Sequence, residues 1–120
     1  MSQPLQASTV NLILCRNIND YLGLPMELIP DDRRLTDIKT GMDILDLQIL
    51  FSETSNRVLR KHHHFTEFIE QNIGRFQLSY PQDYNQQHEL TPDGEAKVLQ
   101  QITAGDMKQF FGPLLQENYR

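Results

Sequence analysis

The chain has 120 residues, 38% of them hydrophobic and 22% charged, with a formal net charge of -5. That length supports one domain around one core, and the apolar content suits a soluble globular fold rather than a disordered chain. The acidic balance argues against broad binding to nucleic acid, because phosphate affinity comes from an excess of cations.

The single cysteine, Cys15, cannot form an intramolecular disulfide, so nothing asks for an oxidising compartment. The start "MSQPLQAST" lacks a cationic segment followed by an apolar one, and runs such as "LILC" are far too short to span a bilayer. A cytoplasmic protein without membrane contact is expected.

Residues 1–8 are polar and contain Pro4, which suggests a flexible lead-in to one helical domain over 9–120. Ser8 or Thr9 can then cap a helix over about 9–22, in which Val10, Ile13, Leu14, Ile18, Tyr21 and Leu22 recur at threes and fours until Gly23. "GLPMELIPDDRRL" is a connector, because Pro25 and Pro30 remove backbone donors and favour extended geometry. Its apolar members Leu24, Met26, Leu28 and Ile29 either lie on the core or await a partner. After it, "DDRRLTDIKTG" fits a short helix with Gly41 beyond its end.

Residues 42–73 contain neither Gly nor Pro. At about 100° per residue, Ile44, Leu47, Phe51, Val58, Phe65, Ile69 and Ile73 share one direction. This pattern predicts one long amphipathic helix, or two with a kink near "SETSN" at 52–56. Leu45, Ile49, Leu50 and Phe68 fall off the stripe, so the element needs cover on more than one side.

In "RFQLSY", Phe76, Leu78 and Tyr80 alternate with polar residues, the period of a half-buried strand ended by Pro81. A short β-hairpin near 75–90 is compatible with this. Thr91 followed by Pro92 and early acids predicts a helix over about 92–104, ended by Gly105. Asp106 can cap a last short helix that Gly112-Pro113 must bend or break. The expected fold class is mainly α, a small single domain around the long helix 42–73.

The triplet His62-His63-His64 follows Arg60 and Lys61. On a helix, adjacent residues point about 100° apart, so three consecutive histidines cannot face one ion. His63 and Glu67 supply only two ligands, and surface pairing explains them equally well. His62 falls within the apolar stripe, where a hydrogen-bonded interior histidine is the ordinary reading and a pH-responsive one the sharper alternative. No metal and no cofactor are expected.

Catalytic motifs are also missing: there is no Gly-rich phosphate loop, Gly-x-Ser-x-Gly, HExxH or CxxC. Asp31-Asp32 and Asp43-Asp46 sit where a helix start favours negative charge, and Cys15 lies in the most apolar stretch, as a packed side chain does. The expectation is therefore a non-enzymatic protein–protein interaction module: an acidic helical adaptor, chaperone or regulator binding another protein or itself as a homodimer. Met26, Leu28, Phe110, Phe111, Leu114 and Leu115 are its candidate contact residues, since a chain this short leaves apolar tail surface to cover.

The alternative is a winged-helix-like nucleic-acid-binding transcriptional regulator using a basic strip of Arg57, Arg60, Lys61 and His64, with Arg75 near the start of the expected strand. Glu53 can neutralise Arg57 at helical spacing, and the candidate wing "YPQDYNQQHE" holds no Lys or Arg. A solvated helix face is the plain reading of that strip.

Overall fold

Helix α1 spans Ala7–Leu22 and ends at the expected glycine, Gly23, which takes the left-handed conformation at φ 69°. The Gly23 N–H donates to Asp20 O and the Leu24 N–H to Asn19 O, satisfying the last carbonyls of the helix. In this computed structural model the described residues are 5–59 and 65–118, without the side chains of Val58 and Asn118. Arg60, Lys61, His62, His63, His64 and Tyr119 lie outside them.

The start of α1 differs from expectation. Gln6, with no side-chain cap, precedes the helix, and neither Ser8 nor Thr9 is its cap. Leu5 is clamped to Gln116 through its N–H (2.7 Å) and its carbonyl (2.5 Å), so the described residues 5–8 of the expected lead-in are held in place.

After the connector, α2 is a single turn, Leu35–Ile38. Helix α3, Ile44–Thr54, opens with a reciprocal capping box in which the Asp43 carboxylate accepts from Asp46 N–H and Asp46 from Asp43 N–H. It passes directly into a π-helical turn, Ser55–Leu59. Within α3, Thr54 donates its hydroxyl to Leu50 O and accepts from Asn17 of α1, a buried polar tie between the two helices.

Helix α4 follows at Phe65–Asn72, with a 3-10 turn at Ile73–Arg75. A single straight helix over 42–73 is ruled out by ring geometry. Phe51 and Phe65 would stand about 21 Å apart along a straight axis, whereas their ring centroids are 5.2 Å apart and those of Phe51 and Phe68 are 5.0 Å apart. Helix α4 therefore packs back against α3 rather than continuing its axis, and α3 gives way to the π-helical turn within "SETSN", where the alternative reading put a kink. Folding back is what buries both sides: Leu47, Phe51, Phe65 and Ile69 from the stripe, and Leu50 and Phe68 from outside it.

The segment 76–90 contains no strand, and its only pairing among the described residues is an isolated bridge between Tyr84 and Leu90. A buried aspartate holds it as turns instead. Asp83 Oδ2 accepts from the Ser79 N–H (2.7 Å) and the Lys97 ammonium (2.8 Å), while Asp83 O accepts from the Thr91 N–H. Lys97 and Ser79 hold the Asp83 carboxyl below its usual pKa range, against the opposing effect of burial.

Helix α5, Pro92–Gln101, starts as the sequence predicts, with Thr91 Oγ1 accepting from the Gly94 N–H. Its end does not. Ile102 is extended at the end of α5, and Gly105 belongs to α6, Ala104–Asn118. The start of α6 is framed by Thr103 and Asp106, whose side chains each accept from the other's N–H. Gly105 is needed for a close approach: a Cβ there would lie 2.8 Å from the Asp31 carbonyl, which accepts the Gly105 N–H.

Helix α6 also runs through Gly112-Pro113 without breaking. A proline inside a helix costs about 3 kcal/mol. Burial of Phe111 and Leu115, at roughly 1.5–3 kcal/mol each, together with packing of α6 along α1, offsets that cost.

Two expectations follow. A Cβ at Gly94 would overlap the Asp83 carbonyl oxygen, so Gly94→Ala should cost about 2 kcal/mol or more by urea denaturation. Because Asp83 titrates lower when folded than its unfolded value of about 3.9, its contribution is present above that value and is lost as pH falls through the folded pKa. Urea midpoints followed down the acid range should therefore fall more steeply for the wild type than for Asp83→Asn.

Candidate interaction surfaces

The connector after α1 is extended yet fixed. Asn19, buried in α1, donates its amide to Glu27 O (2.7 Å) and Cys15 O (2.9 Å), while the Ile29 N–H reaches Cys15 Sγ at 3.4 Å. Lys108 of α6 binds both Ile29 O (2.5 Å) and the Asp31 carboxylate (2.7 Å). Ile29 is thereby buried, while Met26 and Leu28 remain 43% and 59% exposed. Beside them a groove of about 320 Å³ runs along Leu24, Pro25 and Ile38, with Arg33 and Asp37 at its edge.

The other expected contact residues are divided by the fold. Phe111 and Leu115 are core residues with no surface to offer, and Phe110 is 7% exposed. The aromatic cluster around Phe51 takes the tail side chains that the short chain was expected to leave uncovered. Phe110 and half-buried Leu114 still edge a groove of about 330 Å³ between α4 and α6, shared with Glu67, Gln71 and Pro113. The structure thus brings Met26 and Leu28 together on one surface, and the tail residues elsewhere.

The basic strip is described only at Arg57. Its Nε lies 3.6 Å from Glu53 Oε2 with both side chains about half exposed, a pairing worth a few tenths of a kcal/mol. Arg75 is tied to α6 through Asp106 (3.0 Å) and Gln109 (3.0 Å). In the segment expected to form a wing, Asn85 Oδ1 accepts from the N–H groups of Gln87 and Glu89, closing a turn.

A feature that sequence reading missed lies between α4 and this turn. Phe65, Ile69 and Leu90 line a hollow of about 200 Å³, with Glu70, Glu89 and Glu95 around it. The turn carries exposed His88 at φ 61°, stacked on Tyr84 at 5.7 Å, and Tyr84 is in turn 5.8 Å from Tyr80. Gln48 of α3 also lines the hollow, and one turn before it on that face stands Leu45, which is 58% exposed. The pair of acids in "TEFIEQN" was visible in the sequence, but its proximity to residues twenty positions onward was not.

Among the described residues no group of three or more His, Cys, Asp or Glu is arranged to hold a metal ion, and no helix is long and apolar enough to cross a membrane. Comparison with protein-family models, curated proteins and solved structures finds no match.

Charge introduced at the two kinds of apolar position should separate them. Leu28→Asp should leave the unfolding midpoint nearly unchanged, within about 0.5 kcal/mol, whereas Phe111→Asp should abolish cooperative unfolding by placing a carboxylate in the core.

Proposed function

We propose that the protein is a non-enzymatic interaction module, an acidic helical adaptor or regulator that binds another protein or a second copy of itself. The supporting observation is the fixed presentation of Met26 and Leu28. Their segment is pinned by Asn19, Cys15 and Lys108 while both side chains face outward. A loop ordered before binding loses less conformational freedom when a partner arrives, so more of the apolar burial counts toward affinity. The groove beside it gives a partner side chain somewhere to enter. The cytoplasm is the compartment proposed for this activity.

A tagged full chain should capture a stoichiometric protein from lysate of the native source, equally with and without nuclease, and Leu28→Asp should reduce recovery about tenfold. Capture that disappears with nuclease, or that ignores Leu28→Asp, would remove this reading.

A further inference from the structure

The hollow beside α4 combines features that specify its occupant more narrowly than the connector does. Its lining is apolar at Phe65, Ile69 and Leu90, yet Glu70, Glu89 and Glu95 border it, and among the described residues no Lys or Arg lines it. Among the described residues the carboxylates of Glu70 and Glu95 meet no ion-pair or hydrogen-bond partner, while that of Glu89 accepts from the Asn85 amide at 3.1 Å. An uncharged apolar group entering would strip water from these carboxylates without replacing their hydration. A long cationic side chain fits both requirements, with its methylene stem on the apolar lining and its charged end among the carboxylates.

Size selects between a free small molecule and part of a larger partner. Pockets for small ligands commonly span about 300–1,000 Å³, and this one is about 200 Å³, room for one side chain. One helical turn from the lining residue Gln48, Leu45 is 58% exposed. His88 also lines the hollow and is stacked on Tyr84, which neighbours exposed Tyr80, and tyrosine faces attract guanidinium groups.

We infer that this hollow is a docking site for a basic peptide segment of a partner protein, taking one arginine or lysine beside an apolar neighbour that rests on Leu45. The inference rests on the interaction-module reading and names the partner's chemistry. The chain's net charge of -5 favours the same encounter at longer range.

The test is selection of phage-displayed random twelve-residue peptides on the immobilised full chain, followed by titration of the most enriched synthetic peptide. Enriched sequences should place Arg or Lys next to Leu, Ile, Phe or Met. Affinity should fall about tenfold for the double variant Glu70→Gln/Glu95→Gln, stay unchanged for Leu28→Asp, and weaken with added salt. Thermal midpoints of both variants should match the wild type, excluding unfolding as the cause.

Peptides without cations, equal affinity for the double variant, or no enrichment would overturn the inference. Sedimentation that shows a dimer lost in Glu70→Gln/Glu95→Gln would overturn it too, by making a second copy the occupant. Peptides that instead lose binding with Leu28→Asp overturn it while leaving the interaction module intact. Absence of both selected peptides and a captured lysate partner removes both readings.

Discussion

The position of Phe51 governs the arrangement of the helices. Its ring packs against Phe65 and Phe68 of α4 and against Phe110 and Phe111 of α6, at centroid separations of 5.0 to 6.0 Å. Each aromatic pair adds about 0.5–1.5 kcal/mol beyond area burial, so four around one ring outweigh the preference of 42–73 for continuing as a single helix. Once α3 and α4 lie against one another, α6 has an apolar face to cross and carries its proline within the helix. The hollow between α4 and the 84–90 turn follows from the same fold-back, since α3 and α4 both border it.

Polar groups fasten what the helices leave loose. The connector is held by Asn19, Cys15 and Lys108; the junction between α5 and α6 is held to residues 31–35 by three backbone bonds, from Leu35, Ala104 and Gly105. The turn region hangs on Asp83. Its side chain meets Ser79 and Lys97, and its backbone passes so close to α5 that Gly94 has no substitute. These ties bring irregular segments to the surface in fixed conformations, which is the property that the interaction reading uses.

Local signals were legible in the sequence because their physics is local. Gly23 ends α1, Thr91 caps α5, and Asp43 with Asp46 begins α3, each decided within about four residues. Mainly helical character was also legible from periodicity. A change near "SETSN" was legible as one of two readings, but the packing of α4 back on α3 was not, since helical wheels give the direction of side chains and not where the axis goes. Gly105 and Gly112-Pro113 were misread for a related reason: their roles are set by Asp31 and α1, far away in the chain. Phe76, Leu78 and Tyr80 do alternate, but a strand needs a partner, and Asp83 commits the following residues to turns. For the candidate surfaces, the extended connector was legible from its two prolines, but which of its apolar residues face outward was left open, and the burial of Phe111 depended on Phe51.

The most direct test of this account is the pattern of nuclear Overhauser contacts from the Phe51 ring protons in the full chain in solution. The fold-back predicts contacts from Phe51 to the rings of Phe65, Phe68 and Phe111. Their absence, together with unbroken helical contacts from residue 59 through residue 65, would mean one continuous helix over 42–73 and would contradict the core, the buried tail and the hollow together.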